Sequence, residues 1–222
     1  MDRAHEDRSG ESPKKGFLPR VQRPGVPRPT IATNPVEITG TGHLTELLYD
    51  DGVNDDVLVC AAHGGAVEPG TGEQALELAT RLGATCWATF GYDDEVGAFD
   101  AFHPPSSAIG PSTYDLLGEI GDRGFETVLS LHGLGEEGVL VGGGLSPECK
   151  RRVSDRLGAA LSVPVDVAAP DGEYAGTAPG NFANWLAADG GGLQLEEGKT
   201  ARAEESAAVL ATLEDLIAEG VV

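Results

Sequence analysis

The stretch VLVCAAHGGAVEPGTGE, residues 57–73, decides the reading of this chain. Its first six residues form a short apolar run, rich in β-branched side chains and bounded by turn formers, which predicts a buried strand of a covered parallel sheet. His63 then stands at the carboxyl end of that strand, the edge at which open α/β sheets bind ligands. Gly64 and Gly65 let the backbone turn where a side chain would be strained, so Glu68 can come back toward the imidazole. A histidine and a glutamate converging on one point suit a divalent metal. Catalytic zinc is typically held by three protein ligands with one position open, and two histidines with one glutamate is an established set. A single histidine at a strand end is more commonly a hydrogen-bonded loop residue, so the reading depends on what the rest of the chain brings to the same place.

Two further strand ends carry ionisable residues. Ser130-Leu131-His132-Gly133 closes the apolar run 128–131 and repeats the order strand, histidine, glycine. Parallel strands deliver their carboxyl ends to one edge, so His63 and His132 can meet there. In Gly192-Leu193-Gln194-Leu195-Glu196 a short apolar strand ends in a carboxylate ahead of a long helical pattern. A metal-assisted hydrolase needs a base that takes the proton of the attacking water and passes it to the leaving amine, and Glu196 is the candidate. Taken singly, Glu196 beside Glu197 also reads as a solvated acid. Arg202, one to two turns into the following helix, can bind a substrate carboxylate or a developing oxyanion, although an exposed helix arginine is the commoner case.

Between these points strand and helix alternate. The spacing of Ala75, Leu76, Leu78 and Ala79 predicts a helix over 71–82, with Thr71 as N-cap and Gly83 past its end. Strands are expected at 86–90, 139–141, 163–167 and 193–195, and helices at 113–122, 147–160 behind Ser146, 180–188 and 199–218. Residues 36–48 read as an edge hairpin, and 91–111 as a polar loop containing His103. The class is α/β, a three-layer arrangement of a mostly parallel mixed sheet with helices on both faces.

With 222 residues, 40% of them hydrophobic, the chain can bury a sizeable core. Residues 1–34 differ in kind: they hold several prolines, mixed charge and little apolar periodicity, and read as a disordered or loosely packed basic arm ahead of one domain over 35–222. Seven of the 15 Lys and Arg lie in the arm, against four of the 36 Asp and Glu, so the rest holds 8 basic and 32 acidic residues, net −24. This acidity argues against nucleic acid as a partner, which needs a cationic surface. With four lysines and 32 glycines it suggests a halophile-like protein that stays soluble in strong salt. No signal or membrane-spanning pattern is evident, which predicts a cytoplasmic protein without a membrane partner. Cys60, Cys86 and Cys149 show no C-x-x-C spacing and read as reduced thiols.

The stretch from His63 to Thr71 with Glu73, then Phe102-His103 with Ser106, Leu131-His132-Gly133 followed by Val141-Gly142-Gly143, Asn181 to Asn184, and Leu193 to Glu196 with Arg202 resemble, in order, the motifs of the poly-γ-glutamate hydrolase family, whose best-known members are phage enzymes. The match runs from about Val57 to Arg202, and HGG-x-x-EPGT is its specific part. The resemblance implies a zinc-dependent amidohydrolase with a fold like the metallocarboxypeptidases (phosphorylase/hydrolase-like), one zinc ion, and a poly-γ-glutamate-like or small-molecule substrate cleaved by zinc-activated water. Carried over motif by motif, it implies His63, Glu68 and His132 as metal ligands, Glu196 as general base and Arg202 as a substrate or transition-state contact. It further implies His103 as a site-wall residue, proton partner or substitute ligand, and Asn181 as an orienter of substrate. Where family members usually carry arginine after the second asparagine, this chain has Trp185. Two other functions fit the same residues: an N-formylglutamate or N-acyl-amino-acid amidohydrolase, and an inactive binding protein on a hydrolase fold.

Overall fold

The computed structural model describes residues 29–222. In chain order the strands and helices are β1 (Thr30–Ile38), β2 (Gly42–Asp50), β3 (Asn54–Gly65), α1 (Thr71–Leu82), β4 (Ala84–Asp93), α2 (Ala98–Phe102), α3 (Asp115–Ile120), β5 (Thr127–Gly133), β6 (Val139–Gly143), α4 (Pro147–Ala160), β7 (Val165–Val167), α5 (Phe182–Leu186), β8 (Leu193–Glu197), α6 (Lys199–Ala203) and α7 (Ser206–Ala218). A single 3-10 turn, Ser106–Ala108, lies between α2 and α3.

The eight strands form one sheet in the order β1-β2-β4-β3-β5-β8-β6-β7. Pairs β3–β4, β3–β5, β5–β8 and β6–β7 are parallel; β1–β2, β2–β4 and β6–β8 are antiparallel. The central apolar run shows why this sheet needs a layer on each face. Side chains alternate along a strand, and on β3 Val57, Val59 and Ala61 enter one core while Leu58, Cys60 and Ala62 enter the other. The first core is closed by α1, α4 and α7, the second by α2, α3 and α5. The expected three-layer mixed α/β architecture is therefore the observed one.

Chain direction places the site. From β3 the chain passes through α1 to β4 on one side, and then returns through α3 to β5 on the other side of β3. The carboxyl ends of β3 and β5 thus flank a topological switch point, where a crevice opens in an α/β sheet. β8 lies next to β5 in parallel, with His132 opposite Glu196.

Several local expectations differ. The helix cap before α1 is Gly70, left-handed at φ 102°, and Thr71 is the first helical residue, its hydroxyl donating to the Glu68 carbonyl at 2.9 Å. The single helix expected over 199–218 is two: the Glu205 N–H reaches back five residues to the Thr200 carbonyl, and the Glu205 carboxylate is drawn out to accept from the Ser162 N–H and hydroxyl. The loop over 91–111 contains α2. The edge hairpin is longer than expected, and β1 begins at Thr30, inside the stretch assigned to the arm; the remainder of that assignment, residues 1–28, lies outside the described residues. Among the described residues no helix is long and apolar enough to cross a membrane.

Candidate metal centre

His63 lies two residues before the end of β3, and the chain reverses after Gly65. Gly65 adopts φ +73°, the left-handed region that favours glycine, and the Glu68 N–H donates to the His63 carbonyl at 2.7 Å. The reversal returns the Glu68 carboxylate to the imidazole, with Oε1 3.3 Å from His63 Nδ1. From β5, His132 Nδ1 comes within 3.8 Å of Oε2, and the Gly133 N–H donates to Oε2 at 2.8 Å. From the segment after α2, His103 Nε2 meets Oε1 at 3.0 Å. One buried carboxylate is thus faced by three imidazoles.

The second nitrogens of two of these rings are held by the protein. His63 Nε2 lies 2.9 Å from the Pro104 carbonyl. A carbonyl only accepts, so Nε2 donates and the lone pair of the neutral ring is on Nδ1. That Nδ1 is buried and has no hydrogen-bond partner. His132 Nε2 lies 2.9 Å from the Ser130 hydroxyl, which leaves its Nδ1 toward Glu68. Metal-ligating histidines characteristically have the far nitrogen fixed in this way. Burial pushes His132 down to about 4; the Glu68 carboxylate pulls it up, and His63 and His103 add smaller pushes down, so the ring is neutral at pH 7. Burial alone would raise Glu68, but the hydrogen bond from His103 and the closeness of the His63 and His132 rings outweigh it and hold the carboxyl well below its usual range. A neutral His132 beside an ionised Glu68 suits a divalent-metal site, and the orphaned His63 Nδ1 is the atom such an ion would take. The residues fit the group. The tightest set of donor atoms is His63, Glu68 and His103, all within 4.8 Å of one another, with His132 outside it.

Glu196 lines the same cavity, of about 730 Å³, on the far side of His132. Burial, with the Glu68 charge second, pushes its carboxyl up to about 8, against a hydrogen bond from Gln194. Gln194 Nε2 donates to Glu196 Oε1 at 2.8 Å, and Asn181 Nδ2 donates to Gln194 Oε1 at 2.8 Å. Asn181 Oδ1 accepts from the Ala183 N–H and caps α5. Asn181 borders the cavity, as expected of a substrate orienter, yet both ends of its amide are engaged within the protein, where it orients Gln194. Asn184 binds the Gly176 and Ala178 carbonyls and the N–H groups of Gly144 and Gly192, tying the 176–178 wall to the glycine run after β6. Arg202 does not line the cavity. Its Nη1 donates to the Pro69 carbonyl at 3.0 Å, behind the turn that carries Glu68.

The sequence reading passed over Ser130, Gln194, Phe99 and Tyr174. Ser130 and Gln194 each stand two residues before a site residue, on the same face of their strand, a signal that alternation makes readable. Phe99 stacks on His103 at 4.1 Å between ring centroids and, half exposed, forms an apolar shelf of the cavity, which Tyr174 also lines; nothing in the local pattern marks either.

A crevice at the switch point of a three-layer α/β sheet, lined by histidines, a paired carboxylate and a second carboxylate raised by burial, offers donors for a divalent metal beside a group able to move a proton. The chain belongs to the poly-γ-glutamate hydrolase family, whose sequence pattern matches residues 45–205, and it is accordingly a hydrolase acting on amide bonds. Among solved structures, a bacteriophage poly-γ-glutamate hydrolase is similar with TM-score 0.64 at 18% identity, over 82% of this chain and 91% of that one. A structure described as YNDL in its apo, zinc-free form gives 0.60 at 20% identity, over 87% and 91%. A metallo-carboxypeptidase from Burkholderia cenocepacia gives 0.52 at 11% identity, over 88% and 66%. At these identities the likenesses speak for the fold. No curated protein matches the chain in sequence.

Proposed function

We propose that the protein is a zinc-dependent amidohydrolase that cleaves γ-glutamyl amide bonds, with His63, Glu68 and His132 holding one zinc ion. The observation that carries this reading is the buried His63 Nδ1, without a partner and turned to Glu68 while its Nε2 is anchored to Pro104. His132 is preferred to His103 as the third ligand because Ser130 fixes its far nitrogen and it is buried on a strand, whereas the His103 side chain is 30% exposed. The similarity to a structure described as a zinc-free apo form supports zinc, and family membership supports the γ-glutamyl bond.

Bound there, zinc would supply Lewis-acid polarisation of the scissile carbonyl and acidify water in contact with it. The protein's own groups do the rest. Glu196, which lines the cavity with Oε1 held by Gln194, takes the proton of the attacking water and delivers it to the departing amine. Burial raises the proton affinity of this carboxyl, which makes it a stronger base than an exposed one while leaving it able to hand the proton on. His103, on the Phe99 shelf, closes the cavity wall beside Glu68.

The test combines metal content and turnover on the full chain. Mass spectrometry of wild type purified without chelator is expected to find about one zinc per chain. His63→Ala should lose it, and His132→Ala should lose more than His103→Ala does. Glu196→Gln should retain zinc and lose hydrolysis of poly-γ-glutamate by about 10²–10⁴-fold. Wild type that holds no zinc after metal is added back, or Glu196→Gln with normal turnover, would refute the assignment.

A further inference from the structure

Alternation along β8 sends Glu196 to the cavity and the next residue, Glu197, to the opposite face, where it is fully buried. There Gln74 of α1 donates to Glu197 Oε2 at 3.2 Å. Burial pushes Glu197 up to about 7, while the Gln74 bond and the charge of Arg202 draw it down. Arg202 extends from α6 past this carboxylate to the Pro69 carbonyl, one residue beyond Glu68. It also lies against Gly133. A Cβ built there would stand 2.7 Å from Arg202 Nη1 and 2.9 Å from Glu68 Cβ, so the missing side chain is the space that lets the guanidinium and the Glu68 stem share one strand end. The Gly133 N–H then holds Glu68 Oε2.

Among the described residues, four buried side-chain polar atoms have no hydrogen-bond partner. One is His63 Nδ1; the other three, Gln74 Oε1, Glu197 Oε1 and Arg202 Nε, belong to this tier. Each such atom burdens the folded state, because it gives up water without gaining a partner. A polar tier that burdens the fold and lies directly behind the Glu68 turn is explained by what it does for the site.

We propose that Arg202 is a positioning residue for Glu68: it clamps the Pro69 carbonyl, fills the space beside Gly133, and so fixes the carboxylate that the histidines surround. Because this role rests on the metal reading of the site, zinc affinity is the quantity that reports it. The experiment measures zinc affinity of the full chain by competition with a chromophoric chelator, in wild type, Arg202→Met and Arg202→Lys. It adds kcat and KM at saturating zinc, and urea midpoints of the metal-free proteins.

Arg202→Met keeps much of the stem and removes the donor; it is expected to lower zinc affinity about 10–100-fold, the usual effect of losing a group that orients a ligand. Arg202→Lys, which can donate one bond to Pro69, should recover part of that loss, and KM at saturating zinc should stay unchanged. Unaltered zinc affinity with a raised KM would make Arg202 a substrate contact and overturn the proposal. Unaltered affinity with only a lower urea midpoint would reduce it to a structural residue, with the same consequence. A wild type that binds no zinc removes the metal reading and this role together, whereas zinc held equally by wild type and Arg202→Met removes this role alone.

Discussion

Ser130 stands opposite Gln194, and His132 opposite Glu196, across the parallel pair β5–β8, so four polar side chains form a small grid on one face of the sheet. In each strand the first residue holds the second: Ser130 holds the far nitrogen of His132, and Gln194 holds one oxygen of Glu196. The opposite face carries Glu197, whose titration gives a prediction. Its folded pKa, about 7, lies above an unfolded value near 4.3, so the native state binds a proton more tightly than the unfolded chain. The stability this contributes is complete below about pH 4.3, falls as pH rises through 7, and is absent above it, a change on the order of 3 kcal/mol. Glu197→Gln has no such proton to lose. Urea unfolding at pH 4.5 and pH 8 should therefore show the variant gaining on wild type by about that amount; an equal offset at both values would show that Glu197 does not titrate in this range. The strand-end histidines and Glu196 were legible in the sequence because each closes an apolar run. The contacts of Asn181 and Arg202 were not, because type and spacing place a residue near a site without saying which neighbour its donors reach.

At the level of elements, α1 can approach the ends of β3 and β4 because two glycines face each other. A Cβ on Gly64 would lie 2.5 Å from the Thr89 carbonyl oxygen and 3.1 Å from Gly72 Cα, and a Cβ on Gly72 would meet the Phe90 ring at 2.6 Å. At Gly64 the obstacles are backbone atoms of β4 and α1, which cannot rotate away. Gly64→Ala should destabilise by about 1–3 kcal/mol through overpacking. It should also weaken zinc binding, because the helix that must move begins three residues after Glu68. Calorimetry with and without zinc checks both, and an unchanged melting temperature in both states would show that the contact yields freely. In the sequence Gly64 reads only as a turn former and nothing marks Gly72; their use in packing depends on a helix and a strand whose approach no local pattern encodes. Buried strands and α1 were legible through apolar periodicity, while the split between α6 and α7 was not, because a carboxylate 43 residues from its partner Ser162 draws the chain out of the helix.

The molecule as a whole is strongly anionic, at net −21, and its cavity shares that character: Asp171 and Glu173 border it with Glu68, and among the described residues no lysine or arginine lines it. A poly-γ-glutamate chain, itself polyanionic, would meet a repulsive field from these acids, offset at the centre by bound zinc, and simple salt would weaken that field. The Debye length falls from about 10 Å at 0.1 M to about 3 Å at 1 M, less than the width of such a cavity. Raising sodium chloride across that range should therefore increase kcat/KM for poly-γ-glutamate, chiefly by lowering KM. An uncharged γ-glutamyl amide, blocked at its α-carboxyl, feels little of this field and should be cleaved at a rate that changes far less. The paired substrates separate electrostatic access from any effect of salt on the fold, which both would report equally. A fall in kcat/KM for the polymer would reverse the argument: the seven arginines and lysines of residues 1–28 would then be the groups that lead an anionic chain to the site. Substituting those seven by glutamine should abolish that fall, whereas it leaves a salt-driven rise in place when the field of the cavity governs access.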